Sequence, residues 1–428
     1  MPDTTRDSSS PTPPATTGGK RAASEPPGSA AAEGGGGGGE RNGERNGERG
    51  AERPGERNGD RAERPDEQIG RQGPLSLLDG ASSPHLTLSP ELDEQRRVAS
   101  DRGRNLETRL EAYQDILDSE VGDTTLARAR NLEREVNLRQ IYLKFEGSNP
   151  TGTQKDRIAF AQCSDAVRRS YDAITVATCG NYGVAIALAA WIAGLRCVIY
   201  IPESYSSGRV QEMIEYGAEI VRVPGDYEHA VDVSREQAAA LELYDANPGG
   251  ANTPLQIRNY GEIANEIYDE LRDAPIACAV PVSNGTTLAG IFRGFQSLDR
   301  RGKTSRIPRM VAGSSFRKNP IVQAFMKNSP RCEDLDPASI RETAVNEPLI
   351  NWRSIDGNEA LIAIRASNGW ADDASDRQML ACARMLRERE GLHVLPASTA
   401  GLVALLERHK KEPLPGDRYV VILTGRRA

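Results

Sequence analysis

The sequence predicts an α/β protein of two parallel-sheet lobes behind a disordered N-terminal tail. Three observations predict it. Short apolar runs alternate with amphipathic stretches from about Leu106 to the end of the chain. The first hundred or so residues carry few large apolar side chains. Small polar turns follow several of the apolar runs, as loops do where strands feed helices in parallel sheets.

The tail is expected over residues 1–103. Residues 24–33 are rich in Ala, Pro and Glu, and Gly34 to Gly39 form an unbroken glycine run. A four-residue repeat, ERNG with variants, spans Glu40 to Gly59. Such composition cannot bury enough surface to offset chain entropy. A flexible solubilising tail is the plain reading. A partner- or RNA-binding tail acting through its arginines is the alternative, but the interleaved glutamates weaken any attraction to phosphate. Residues 104–428 are then the globular part, with a smaller lobe over roughly 156–270 and a larger one from 104–155 plus 271–428.

Composition excludes several classes. A net charge of −7 gives no general nucleic-acid signature. The six cysteines (Cys163, Cys179, Cys197, Cys278, Cys332, Cys382) contain no CxxC pair, and four scattered histidines add no metal-ligand spacing, so no metal site is expected. Unpaired cysteines suggest a reducing compartment, and no apolar signal segment opens the chain, so a cytoplasmic protein is expected. No run of about 18 apolar residues predicts a membrane span.

Within the globular part, NLETRLEAYQDILDS has helical spacing at Leu106, Leu110, Tyr113 and Ile116. QIYLKFE (Gln140–Glu146) reads as a strand and TQKDRIAFAQCSDAVRRS as a helix. The strands AITVAT (Ala173–Thr178), RCVIYIP (Arg196–Pro202) and EIVRVP (Glu219–Pro224) are separated by helices over NYGVAIALAAWIAG and SSGRVQEMIEYG. Two more helices follow, over DYEHAVDVSREQAAALEL and QIRNYGEIANEIYDELRD. IACAVPV (Ile276–Val282), RMVAGS, ALIAI (Ala360–Ile364) and RYVVILTG (Arg418–Gly425) are expected strands. Helices are expected over TLAGIFRGFQSLDRRG, SDRQMLACARMLRERE and STAGLVALLERHKK. Right-handed crossovers place helices on both faces of such sheets.

Four places along this pattern carry chemistry. In EGSNPTGTQKDR (Glu146–Arg157), Lys155 falls in the first turn of a helix, where the dipole favours the neutral, nucleophilic amine. A solvated surface lysine is the alternative. In ATCGNYG (Ala177–Gly183), a small-residue loop opens a helix with free backbone N–H groups able to hold a carboxylate. Asn181 there can donate its amide to an aromatic hydroxyl; a merely capped turn is the alternative. In PVSNGTTLAG (Pro281–Gly290), Ser283, Asn284, Gly285, Thr286 and Thr287 gather amides, hydroxyls and a helix N-terminus, which suits a phosphate. Neither a P-loop nor a GxGxxG fingerprint is present, and a capped turn again stays open. Finally, Thr424 ends the last strand, where one hydroxyl can meet a ligand atom.

Together these segments resemble the fold type II (tryptophan synthase β-like) pyridoxal-phosphate enzymes, and within them the threonine synthases. GDTTL (Gly122–Leu126) resembles the motif GxTPL, NPTGTQKDR resembles NPTGSFKDR, and TCGNYG resembles STGNTS. NTPLQIRNYGE (Asn252–Glu262), VPVSNGTTLAGI, VLPASTAGLVAL and ILTG resemble later family segments in the same order. The resemblance runs from about Asn105 to the end of the chain.

The resemblance implies the cofactor pyridoxal 5′-phosphate, held by Lys155 as a Schiff base. It implies that Asn181 bonds the ring hydroxyl, Ser283 to Thr287 hold the phosphate, and Thr424 meets the pyridine nitrogen. It places Thr178, Cys179, Gly180 and Tyr182 at the substrate carboxylate and Arg258 at an anionic group. It further implies an amino-acid substrate, a homodimer and a lyase reaction. In that reaction phosphate leaves an O-phosphorylated amino acid and water or another nucleophile adds. Other β-replacement or dehydratase chemistry (cysteate synthase-like, cysteine synthase-like or diaminopropionate-forming) and a non-catalytic scaffold are the alternatives. Gln154 replaces the family's aromatic residue before the lysine, Thr125 replaces a proline, and Tyr182 replaces a smaller threonine.

Overall fold

The computed structural model describes residues 89–205 and 208–427. The expectation of a disordered tail therefore lies outside the described residues up to residue 88. From there to residue 103 it is corrected, because helix α1 spans Pro90–Ser100. Ser89 caps it by accepting from the Leu92 amide. The Arg96 guanidinium stacks 4.5 Å from the centre of the Trp191 ring, and Ala99 is buried. This anchoring uses an arginine stem rather than large apolar side chains, so hydrophobic periodicity does not reveal it.

Helix α2 (Leu106–Glu120) buries Ala112, Tyr113 and Ile116. Strand β1 (Leu126–Arg128), helix α3 (Arg130–Val136) and strand β2 (Ile141–Phe145) follow, with β1 antiparallel to β2. Next come α4 (Lys155–Arg168), β3 (Ala173–Ala177), α5 (Asn181–Ala193), β4 (Arg196–Pro202), α6 (Gly208–Glu215), β5 (Glu219–Val223), α7 (Tyr227–Ala240) and β6 (Tyr244–Asp245). Strands β3 to β6 form a parallel sheet in the order β5-β4-β3-β6. Helix α5 is apolar on every side because it is buried on nearly every side. The Tyr113 hydroxyl donates to the Phe160 carbonyl, so α2 packs on α4, against the expectation that residues 104–155 all belong to the larger lobe.

The rest of the chain runs α8 (Thr253–Leu271), β7 (Ala277–Pro281), α9 (Thr286–Arg300), β8 (Arg309–Ser315), α10 (Pro320–Met326) and α11 (Gly357–Ala366). It continues with β9 (Trp370–Ala374), α12 (Asp376–Glu390), α13 (Ala400–Lys411) and β10 (Tyr419–Leu423). The larger sheet has the order β1-β2-β10-β7-β8-β9 and is parallel apart from β1. Helices α8 and α9 meet through glycines: a Cβ on Gly294 would stand 2.4 Å from the Gly261 carbonyl oxygen.

The expected strand over Ala360–Ile364 is a correction, because these residues lie within α11. Ala360, Leu361, Ala363 and Ile364 are buried while Ile362 is exposed, a helical rather than alternating pattern. The strand of this region is β9, WADDA, whose paired aspartates hide it.

All six cysteines are free thiols. Among the described residues no helix is long and apolar enough to cross a membrane.

The topology places three chemical segments side by side. Strands β2, β10 and β7 are neighbours and parallel, with Leu423 beside Phe145 and Val421 beside Ala279. Their carboxyl ends lead into the lysine turn, Thr424 and the Ser283–Thr287 turn. Ligands bind at such carboxyl ends in open α/β sheets.

Candidate active site

The lysine turn is folded by its own side chains. Asn149 accepts from the Gly122 amide and donates to the Glu146 carbonyl. Asp156 accepts from both the amide and the hydroxyl of Thr151, at 2.9 and 2.8 Å. The Gln154 amide donates to the Thr424 carbonyl, tying the turn to the end of β10. Lys155 is the first residue of α4, and its amide donates to the Thr153 hydroxyl. Burial lowers its ammonium to about 8, opposed by the nearby Asp356 carboxylate. Its Nζ lies 5.7 Å from the centre of the Tyr182 ring.

A buried ion-pair network anchors that turn. Arg157 pairs with Glu146 and with Glu266, each at 2.6 Å, and Lys144 pairs with Glu266 at 2.6 Å. Thr124 joins the network, its hydroxyl donating to Glu146 and its amide to Glu266. Two cations face two carboxylates, so the buried charges balance. Arg157 and Lys144 hold the Glu266 carboxyl down at about 2 against the effect of its burial.

The Ser283–Thr287 turn sits between β7 and α9. Gly285 has φ +93, and a Cβ there would stand 2.8 Å from the Ala360 Cβ, so glycine fits uniquely well. Several residues hold the turn from outside. Asn319 and Ser354 donate to the Ser283 carbonyl, Asn351 donates to the Asn284 side chain, and Asp356 accepts the Thr286 hydroxyl. The Thr286 hydroxyl is thus already engaged, while its backbone amide lies at the start of α9. Asp356, Asn351, Ser354 and Asn319 are not singled out by the sequence. Asn351, Ser354 and Asp356 lie in the irregular segment between α10 and α11, and Asn319 caps the start of α10, so no periodic pattern marks them.

Lys155, Asn181, Ser283–Thr287 and Thr424 all line one cleft. Its few convergent polar groups suit a small organic ligand. Amides at a helix start, a lysine held near neutrality and a terminal hydroxyl fit the phosphate, aldehyde and ring nitrogen of pyridoxal phosphate.

The remaining expected residues are placed differently. Thr178, Cys179 and Gly180 form the turn that delivers Asn181 but do not line that cleft. Burial pushes the Cys179 thiol up to about 12, so it is not a thiolate nucleophile. The Tyr182 hydroxyl donates to Gln162 and to the Ala246 carbonyl, so it is committed to the interior and only its ring approaches Lys155. Arg258 is exposed on α8 and does not line the cleft, so the structure does not bring it to this site.

The sequence matches the family model described as "Pyridoxal-phosphate dependent enzyme" over residues 117–425. It is 29% identical to the threonine synthase of Methanocaldococcus jannaschii over 305 residues, covering 71% of this chain and 74% of that one. It is 30% identical to the threonine synthase of Halalkalibacterium halodurans over 306 residues, covering 71% and 82%. Among solved structures, maize serine racemase superposes with a TM-score of 0.62 at 18% identity, covering 74% of this chain and 94% of that one. The processed form of threonine deaminase isoform 2 from Solanum lycopersicum also gives 0.62, at 16% identity, covering 74% and 85%. The chain belongs to the pyridoxal-phosphate-dependent enzymes and has their fold type II, tryptophan synthase β-like architecture.

Proposed function

We propose that this enzyme carries out elimination or replacement at a side-chain carbon of an amino acid, in the manner of a threonine synthase. The observation that carries this reading is the placement of Lys155 in one cleft with the Ser283–Thr287 turn and Thr424. When bound, pyridoxal phosphate supplies the electron sink that makes the substrate α-proton acidic and lets a side-chain group depart.

The chain's own residues do the rest. The amides of Ser283–Thr287 hold the cofactor phosphate at the start of α9. The Thr424 hydroxyl would meet the ring nitrogen and, unlike a carboxylate, would not stabilise its protonated form. Asn181 orients the ring hydroxyl, and the Thr178–Gly180 turn receives the substrate carboxylate. The Lys155 amine takes the proton from the substrate α-carbon and returns one to the product.

In the first reading the departing group is phosphate, and water or another nucleophile takes its place. A second reading has an unphosphorylated substrate. It is favoured by one observation: among the described residues Lys155 is the only cationic side chain lining the cleft. On the family resemblance we also propose a homodimer.

Borohydride reduction of cofactor-saturated protein, followed by peptide mapping, should place a pyridoxyl group on Lys155. An unmodified Lys155 peptide overturns the reading. Phosphate released from O-phosphohomoserine or O-phosphoserine supports the first form. A 2-oxo acid and ammonia from serine or threonine support the second.

A further inference from the structure

Tyr260 lies midway along α8 and is fully buried, at 0% exposure. Its hydroxyl is buried too, and among the described residues it meets no hydrogen-bond partner. Buried hydroxyls ordinarily have one, because leaving a donor unpaired in the interior is costly. Burial raises the phenol above its ordinary range, so it keeps its proton and stands as a donor.

Helix packing aims that hydroxyl at the Ser283–Thr287 turn. Thr287, Gly290 and Gly294 recur at helical spacing along one face of α9, and it is this face that meets α8. A Cβ on Gly290 would stand 2.5 Å from the Tyr260 Cβ, so the base of the tyrosine rests directly on that glycine. Asp356 joins the starts of the two helices through Thr253 and Thr286, and Gly261 lies against Gly294 further on, so α8 and α9 run side by side in the same direction. Side chains on a helix lean toward its N-terminus. The Tyr260 ring therefore reaches back from Gly290 by about one turn, which is where Thr287 stands. The Thr287 side chain is accordingly the hydrogen-bonding neighbour of the phenol, close to it but without a formed bond. Thr287 in turn lines the cleft, whereas the Thr286 hydroxyl is already given to Asp356. A hydroxyl accepts one hydrogen bond while donating another, and the bond it accepts strengthens the one it gives.

We propose that Tyr260 is a positioning residue for the cofactor: its hydroxyl donates to the Thr287 hydroxyl and turns that group to donate to the cofactor phosphate. The inference rests on the reading of Ser283–Thr287 as the phosphate turn. It extends that turn to a residue on a neighbouring helix that does not itself line the cleft. The phenol oxygen adds nothing to the fold alone, because it bonds to nothing there. Its contribution is to the hold on the phosphate.

The test uses the full-length chain, freed of cofactor and titrated with pyridoxal phosphate or with pyridoxal, which lacks the phosphate. Binding of each is followed by absorbance for wild type, Tyr260→Phe, Thr287→Val and the double variant. Tyr260→Phe should weaken pyridoxal phosphate binding about three- to tenfold and Thr287→Val at least about tenfold, with pyridoxal binding unchanged in both. The double variant should bind no more weakly than Thr287→Val, because the phenol acts only through that hydroxyl. The thermal midpoint of cofactor-free Tyr260→Phe should stay at or above that of wild type, since the substitution removes a buried oxygen that has no partner. Unchanged pyridoxal phosphate affinity in Tyr260→Phe, a lowered cofactor-free midpoint, equal losses for the two aldehydes, or losses that add in the double variant each overturn the inference and leave the phosphate turn standing. Wild type that binds the two aldehydes equally well overturns both.

Discussion

Thr286 donates its hydroxyl to Oδ2 of Asp356 across 2.5 Å, while Oδ1 of the same carboxylate accepts from Thr253 at 2.8 Å. One buried aspartate thus fastens the start of α9 to the start of α8. The Asp356 amide also donates to the Asn284 carbonyl, so the same residue closes the turn from the other side. A carboxylate beside an anion cradle looks contradictory. It is tolerable because both its oxygens are already satisfied by hydroxyl donors.

Asp356→Ala should therefore loosen the cofactor. It strands two hydroxyls, each costing roughly 1–3 kcal/mol if left unsatisfied in the interior. Cofactor retention during dialysis and the thermal midpoint should both fall. Thr286→Val should weaken retention less, because the Thr253 bond to Asp356 survives. Equal retention by Asp356→Ala and wild type would show that the turn holds its shape unaided.

How much of this is readable from the sequence follows from where each residue stands. Lys155, Ser283–Thr287 and Thr424 follow apolar strands, so position and turn chemistry point to them together. Asp356 and Asn351 lie in an irregular segment and act on partners 67 or more residues away in the chain. Nothing local marks them. The ALIAI helix and the WADDA strand run against expectation because apolar content outweighs periodicity in one and charge masks an edge strand in the other. Arg258 draws attention only through family likeness, and its side chain is out at the surface.

The Arg157 network gives a second expectation. Arg157→Ala leaves Glu146 buried without its guanidinium partner, and breaking a buried pair in this way costs about 3–5 kcal/mol. Chemical denaturation should read that loss directly. The pH dependence has a definite sign. Glu266 is held at about 2, below the ordinary carboxylate value, so its contribution is full above about pH 4.5 and is lost as pH falls toward 2. Glu266→Gln should flatten stability against pH within that window. An unchanged slope would mean that other carboxyls govern acid unfolding.

Lys155 yields a kinetic expectation. Its ammonium is lowered to about 8, chiefly by burial, so the neutral amine that attacks an aldehyde becomes dominant as pH rises through that value. Cofactor-free protein mixed with pyridoxal phosphate should acquire absorbance at a rate that climbs with pH and levels off above about 8. Lys155→Ala should acquire none. A rate still climbing steeply well above pH 9 would mean the amine is not perturbed in the free site.

The lysine turn also depends on how closely Arg426 lies over Gly152. Gly152 has φ +86, and a Cβ there would stand 2.7 Å from the Arg426 Nε. Arg426 in turn donates to the carbonyls of Gly147 and Pro150, clasping the turn from the far side. Gly152→Ala therefore brings two separable costs. The left-handed backbone costs a non-glycine residue about 1–2 kcal/mol wherever the neighbours stand. The clash is with the flexible end of a side chain, so Arg426 can swing away, but it then loses two hydrogen bonds worth about 0.5–1.5 kcal/mol each. A double-mutant cycle tells these apart. In the background of Arg426→Ala, Gly152→Ala should cost only the backbone strain, less than it costs in wild type. The two substitutions should then be less damaging together than the sum of their separate effects. Strict additivity in the thermal midpoints would mean that the guanidinium does not constrain the turn. Additivity in stability combined with lost cofactor absorbance would place its role in positioning Lys155 rather than in holding the fold.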